Sequence, residues 1–247
     1  MSFPTRFATS AAALFAAAIL VAGCTASPGD SVPTSTSTPD DKGSSANNGN
    51  DDLDDIEAAW LDGGRQLAVV TWGSSTCVPG VSEISADGQT VNVTLDDGVH
   101  DASPCTKDIA PRASLAALPE GVDPTKDVKL VVTYGDLTDD VDLDGNAALT
   151  GVPGSTTDFA PSAGWFDDEG VVLLTWGSSS CVPIVENVEE QPGGATVTLA
   201  AGGEVCTMDM VPRPTMLGFS DDGDDDGEFV LTLVGDNLDG TVPVLRG

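Results

Sequence analysis

The chain has 247 residues, a length that predicts one or two domains. Its formal net charge of −31 excludes nucleic acid and anionic lipid headgroups as electrostatic partners, because both are negatively charged. Such acidity keeps a protein soluble, and it leaves a basic protein, a cation or a glycan as candidate partners.

Residues 1–23 have the pattern of a secretory signal peptide. Arg6 provides the charged start, and "FATSAAALFAAAILVAG" provides a short apolar run that ends in small residues before Cys24. This run favours a removed leader over a membrane span, because it is short and rich in alanine. No later segment is long and apolar enough to cross a membrane, so the mature chain is predicted to have no transmembrane helix.

The end of this leader, "VAGC" at residues 21–24, resembles the lipobox of bacterial lipoproteins. The resemblance implies cleavage before Cys24 and a diacylglyceryl group on its thiol. Two buried acyl chains anchor a protein stably. The mature protein is therefore expected on the extracytoplasmic face of a cell membrane. The alternative is an ordinary secreted protein with a chance cysteine at the cleavage site.

Residues 24–56 are predicted to form a disordered tether behind the lipid. The stretch "TASPGDSVPTSTSTPDDKGSSANNGNDDLDDI" has almost no large apolar side chains. It cannot bury enough surface to offset the entropy lost on ordering. The tether would hold the folded part away from the membrane.

The rest of the chain is an internal duplication. The nonapeptide "TWGSSTCVP" at 71–79 returns 104 positions later as "TWGSSSCVP" at 175–183. Further along, "CTKDIAPR" at 105–112 returns 101 positions later as "CTMDMVPR" at 206–213. We therefore predict two copies of one unit, a first domain at 57–150 and a second at 151–247.

Each copy has the periodicity of β-strands. "TVNVTL" and "ATVTL" alternate apolar and polar residues, and "DVKLVVTY" and "EFVLTLV" follow the same pattern. "QLAVVTW" and "VVLLTW" are continuously apolar, which is typical of a central strand in a packed core. We predict an all-β fold of two tandem, small, antiparallel sandwich-like domains, with immunoglobulin-like topology left open.

Four cysteines remain after Cys24, and an exported protein meets an oxidising environment. Only one of the three pairings of four cysteines agrees with the duplication, namely Cys77 with Cys105 and Cys181 with Cys206. Each domain is thus expected to have one disulfide. A zinc site is the alternative, but the sequence has no Cys-x-x-Cys motif to favour it.

The unit "TWGSS[TS]CVP…CTxDxxPR" resembles a repeat of uncharacterised secreted or lipid-anchored bacterial proteins. The resemblance covers residues 57–247 and implies a location and a domain type. It implies no activity.

The serines of "WGSS" are poor candidates for a hydrolase nucleophile. A nucleophile elbow needs a second glycine and a following helix, and neither is present. The single histidine, His100, falls in a segment that the second copy shortens. We interpret the glycine and serines as residues that let the backbone turn from the buried strand toward the cysteine.

The four tryptophans form two matched pairs. Trp72 and Trp176 end the most apolar strands, five residues before a cysteine, so they are predicted to pack in the core near the disulfides. Trp60 and Trp165 precede those strands and are the candidate platforms for stacking on sugars.

The frame C-T-x-D-x-x-P-R repeats an aspartate and an arginine, as Asp108 with Arg112 and as Asp209 with Arg213. The expectation is an internal Asp–Arg pair beside each disulfide, because arginine binds carboxylates in two-pronged geometry. The alternative is an arginine that holds a ligand's carboxylate or phosphate.

Two acidic runs resemble the first half of a calcium-binding EF-hand loop, in "DDVDLDG" and "DDGDDDG". The position for the bidentate glutamate is Gly151 in one and Leu233 in the other, so no metal site is predicted. The first run is better explained as a strand with Val141 and Leu143 inward. No sequence motif for a cofactor is present.

These observations favour a non-enzymatic binding or interaction module on the cell surface. Two alternatives stay open. One is a hydrolase of envelope polymers that uses acidic residues which the sequence does not single out. The other is a structural spacer.

Overall fold

A computed structural model of the chain describes residues 55–98, 104–220 and 227–247. The predicted signal peptide, the lipidation site Cys24, nearly all of the tether, His100 and the acidic run at 221–226 lie outside these residues. Within the described ranges no helix is long and apolar enough to cross a membrane.

The regular structure of the described residues is β-strand apart from a 3-10 turn at Asp62–Gly64, which confirms the all-β class. The strands are β1 (Glu57–Leu61), β2 (Gln66–Gly73), β3 (Gly80–Asp87), β4 (Thr90–Asp96), β5 (Ala110–Ala117), β6 (Val128–Tyr134), β7 (Leu137–Leu143), β8 (Ser162–Trp165), β9 (Gly170–Gly177), β10 (Ile184–Gln191), β11 (Gly194–Ala200), β12 (Val211–Gly218), β13 (Phe229–Val234) and β14 (Gly240–Leu245).

The two halves of the chain have the same strand arrangement. In the first, a three-stranded sheet β1-β2-β5 faces a four-stranded sheet β3-β4-β6-β7. In the second, the matching groups are β8-β9-β12 and β10-β11-β13-β14, joined into one sheet because β14 pairs in parallel with β8. The pairs β4–β6 and β11–β13 are also parallel, since β5 and β12 cross to the other sheet between them. The prediction of purely antiparallel sandwiches is therefore wrong, although most strand pairs are antiparallel. This order differs from the immunoglobulin arrangement, in which the third strand neighbours the sixth.

Each sandwich encloses its own apolar core, with Leu67, Val93 and Leu130 in the first and Leu173, Val197 and Leu231 in the second. The acidic strand β7 turns Val141 and Leu143 inward and exposes its aspartates, as its pattern predicts. Burial of apolar side chains is the main source of stability in both cores.

A third apolar core joins the two sandwiches. Ala68 and Val70 of β2 and Val172 and Leu174 of β9 pack into it, with Leu61 and Phe166 beside them. The strands β2 and β9 are therefore apolar on both faces, which explains their unbroken apolar sequences. Equivalent strands meet across this core, β1 against β8 and β5 against β12.

Gly164 permits the close approach of β8 to β1. A Cβ atom at this position would lie 2.4 Å from the carbonyl oxygen of Trp60, which is too close for any side chain. The two sandwiches thus pack through backbone contact as well as through apolar side chains.

Candidate functional site

The two disulfides join Cys77 to Cys105 and Cys181 to Cys206, which is the pairing that the duplication predicts. The first disulfide links the loop after β2 to the loop before β5, and the second links the loop after β9 to the loop before β12. The disulfide therefore brings "WGSS" and "CTxD" side by side at one end of each sandwich, although the two motifs lie three residues closer in the second half.

Arg112 is buried beneath the first disulfide loop, and only 6% of it is exposed. Its Nη1 donates to the carbonyl oxygen of Cys77 at 2.7 Å, and its Nη2 donates to the hydroxyl of Thr71 at 3.3 Å. Arg213 donates to the carbonyls of Cys181 and Trp176, at 2.8 and 3.0 Å. The second bond corresponds to that of Arg112 Nη2 to the carbonyl of Trp72 at 3.4 Å. Burial lowers the pKa of Arg213 from its ordinary value.

The expected Asp–Arg pair does not form in either half. Among the described residues no ion pair involves Arg112 or Arg213. Both guanidinium groups are buried and donate to main-chain carbonyls. The predicted Asp–Arg pair is therefore wrong, and each arginine instead stabilises its disulfide loop. The alternative, an arginine that holds a ligand's carboxylate or phosphate, stays a prediction.

Asp108 and Asp209 instead organise the exposed side of the loops. The Oδ1 atom of Asp108 accepts a hydrogen bond from the backbone N–H of Ser75 at 3.4 Å, and Asp209 accepts one from Ser179 at 3.2 Å. Bonds from Ser75 and Thr106 lower the pKa of Asp108 to about 2. Bonds from Ser179 and Thr207 lower the pKa of Asp209 to about 2 as well.

The loop hydroxyls bond to one another. Ser74 Oγ lies 2.8 Å from Thr106 Oγ1, and Ser178 Oγ lies 2.7 Å from Thr207 Oγ1. No histidine lies in the part of the chain that the structure describes. The serines thus form small polar networks that tie the two loops together.

The tryptophans reverse their expected positions. Trp60 is fully buried and Trp165 is 5% exposed, so neither offers a face to a sugar, and that prediction is wrong. The Nε1 of Trp60 donates to the carbonyl of Asp144 at 2.9 Å, and Trp165 stacks edge-on with two phenylalanines. Trp72 and Trp176, expected in the core, are only half-buried, because they lie at the edges of the contact between the sandwiches.

An open groove of about 300 Å³ lies beside Trp72. We call it the Trp72 groove. Its floor is apolar, and one wall is the turn between β8 and β9, here called the acidic turn, Asp167–Asp168–Glu169. The lining residues come from both halves and include Trp72, Pro111, Phe166, Asp167, Glu169, Met216 and Phe219.

The acidic turn also influences the neighbouring carboxyl of Glu57. Burial, followed by the charges of Asp167 and of other nearby acids, raises the pKa of Glu57 to about 7. Asp167 and Asp168 thus lie close to Glu57, and Arg246 lines the same surface hollow.

Beside Trp176, the position that corresponds to the Trp72 groove is occupied by the chain's own residues 157–159. The ring of Phe159 packs edge-on against Trp176, with 5.3 Å between ring centroids. The preceding residue, Asp158, forms an ion pair with Arg65 at 2.9 Å, and Thr157 donates to Asp62 at 2.9 Å. We call Trp176, Asp62 and Arg65 the Trp176 site. Among the ring contacts of the described residues, none involves Trp72.

Two main-chain hydrogen bonds establish that the walls of these sites are equivalent. The N–H of Leu118 donates to the carbonyl of Arg65 at 2.8 Å, and the N–H of Phe219 donates to the carbonyl of Glu169 at 2.8 Å. Arg65 and Glu169 thus occupy the same place in the two halves with opposite charge. This difference is also visible in the sequence, where Arg65 lies over Glu169 at the offset of 104 that otherwise matches the two copies.

Within the described residues, no group of three or more histidine, cysteine or acidic side chains is arranged to hold a metal ion. No family model, curated protein or solved structure matches this chain.

Proposed function

We propose that the chain is a lipid-anchored extracytoplasmic protein whose folded part is a non-enzymatic binding module at the cell surface. The observation that carries the binding role is the Trp72 groove. Its apolar floor and polar rim are typical of recognition sites, where a few charged groups orient a ligand on an apolar surface. The location rests on the resemblance of "VAGC" to a lipobox.

The packing around the groove supports this function. Phe166 belongs to the third apolar core, and Met216 packs against it, so the groove floor is part of a packed apolar core. A site that is formed before its ligand arrives avoids part of the ordering cost of binding. A spacer would need no such concave apolar surface.

The binding role is tested with an unbiased library of displayed peptides, selected on the mature chain 25–247. We expect clones whose affinity falls at least tenfold in Trp72→Ala. The same clones should bind normally to Met208→Ala, a matched loss of an exposed apolar side chain elsewhere. A library that yields no Trp72-dependent clone contradicts a binding role for the groove, and turnover of a labelled envelope polymer contradicts the non-enzymatic assignment.

The location is tested separately by Cys24→Ser. This change removes the acceptor thiol, so the protein should leave the membrane fraction and enter the medium. A variant that remains in the membrane fraction after high-salt washing would refute the lipid anchor.

A further inference from the structure

We propose that the Trp72 groove binds a segment of a partner protein in which a basic residue directly precedes an aromatic residue. The inference rests on the proposed binding function and specifies the partner for the same groove. The template for this partner is the chain's own segment at the Trp176 site.

That segment shows how such a site is filled. Phe159 supplies the ring against Trp176, and the residue before it, Asp158, supplies the charge that pairs with Arg65. Phe159 has a positive φ of 56°, a conformation that bulky residues seldom adopt. The bonds of Thr157 and Asp158 hold the segment in place and so maintain this conformation.

The same arrangement at the Trp72 groove requires the opposite charge in the ligand. Trp72 takes the place of Trp176, and Glu169 takes the place of Arg65. Asp167 and Asp168 add negative charge to the same turn. An aromatic residue on Trp72 would therefore be preceded by lysine or arginine, which donate charge-assisted hydrogen bonds to carboxylates.

The two parts of the ligand would contribute differently. The aromatic ring would bury apolar area against Trp72, Phe166 and Met216 and form edge-to-face contacts, so it would supply most of the affinity. The basic residue would meet carboxylates at an exposed rim, where the attraction between opposite charges is weak. An acidic residue in its place would be repelled, which widens the difference in affinity between the two ligands. Charge therefore decides selectivity.

This chain offers no good occupant of its own. The residues before β1 that match Thr157–Asp158–Phe159 by their distance from the strand are Asp52, Leu53 and Asp54. Their aspartates would be repelled by the acidic turn. In the whole sequence, the one basic residue followed by an aromatic is Arg6 before Phe7, inside the predicted leader. A second mature copy therefore lacks the required pair.

The test uses short labelled peptides that contain Lys-Phe, Glu-Phe or Lys-Ala between Gly-Ser flanks. Their binding to the mature chain 25–247 is measured by fluorescence anisotropy. Lys-Phe should bind about tenfold more tightly than Glu-Phe, since both attraction and repulsion contribute. Lys-Ala should not saturate. Equal binding of Lys-Phe and Glu-Phe would overturn the proposal.

The charge swap Glu169→Lys makes the test specific to the groove. This variant should prefer Glu-Phe over Lys-Phe. Its matched control is Glu186→Lys, which changes the net charge equally on the exposed side of β10 and should leave the preference intact. If both variants shift the preference equally, the peptides respond to net charge alone and the groove is not their site.

Other outcomes distinguish this inference from the function on which it rests. If the unbiased library yields Trp72-dependent clones without a basic–aromatic pair, the inference fails and the binding role stands. Dimers that dissociate on Trp72→Ala in sedimentation equilibrium would assign the groove to a second copy. If the Lys-Phe peptide binds only to the Leu53→Asp variant, the chain's own tether occupies the groove in the original protein. Either result would overturn the proposed partner.

Discussion

The guanidinium of Arg112 lies against the α-carbon of Gly73, and a Cβ atom built there would come within 2.7 Å of Cζ. Arg213 and Gly177 have the same relationship at the same distance. The glycine of "TWGSS" and the arginine of "CTxDxxPR" are therefore one structural unit. The sequence suggested that Gly73 lets the backbone turn, and this interpretation is wrong. Gly73 lies in β2, and its lack of a side chain leaves room for the buried guanidinium.

Gly73→Ala should destabilise the protein. The added methyl group would displace the guanidinium and break its bond to the carbonyl of Cys77, a loss of about 1.5–3 kcal/mol for a hydrogen bond of a charged group. The free energy of unfolding is measured by urea denaturation. Gly240→Ala is the control, because its Cβ would meet nothing within 4 Å. Equal stability of the two variants would argue against this packing.

Gly164→Ala should weaken the contact between the sandwiches. Its Cβ would collide with the carbonyl oxygen of Trp60, which is backbone and cannot rotate away, so we expect a loss of roughly 1–3 kcal/mol. The comparison variant is Gly80→Ala, whose Cβ would make an ordinary contact at 4.0 Å. Thermal unfolding that loses cooperativity only in Gly164→Ala would locate the damage at the third core.

The stability of the fold should depend on the ionisation of Glu57. Its pKa is about 7 in the folded state against an ordinary value of 4.5, so the folded state binds its proton more tightly. Stability therefore falls as pH rises from about 4.5 to about 7, and the loss is complete above that range.

Glu57→Gln should remove this dependence. We expect a gain on the order of 1 kcal/mol at pH 8, a figure reduced for the solvent screening of a half-buried carboxyl, and little change at pH 4.5. Urea denaturation at the two pH values measures it. Glu83→Gln, on the exposed face of β3, controls for the loss of one negative charge. A gain of equal size in both variants would assign the effect to net charge.

Removal of the first disulfide by Cys77→Ala with Cys105→Ala should cost about 3–4 kcal/mol in the chain-entropy model. The cysteines are 28 residues apart, and those of the second bond are 25 apart, so Cys181→Ala with Cys206→Ala should cost nearly the same. Unfolding in urea with and without reductant compares the original chain with the two double variants. Reductant should destabilise each double variant by the cost of its remaining disulfide and the original chain by the sum of both costs. A different sum would show that the two disulfides do not act independently.

The strands, their division into two similar units and the disulfide partners can be predicted from the sequence alone. Alternating residues in "TVNVTL" reveal a strand because successive side chains point to opposite faces. Cysteine partners followed from the duplication, which allows one pairing. These features are local or repeated, so they can be recognised without knowledge of which distant residues meet.

Only the tertiary structure shows which side chains are exposed and can contact a ligand. Trp60 is buried in the core of the first sandwich, whereas Trp72 is half-buried at the edge of the contact between the two sandwiches. No periodicity within one unit reveals that contact. The same contact leaves a groove at Trp72 while Phe159 fills the Trp176 site. Two nearly identical motifs thus acquire different surfaces, because exposure depends on what packs against a residue and not on the residue's own sequence.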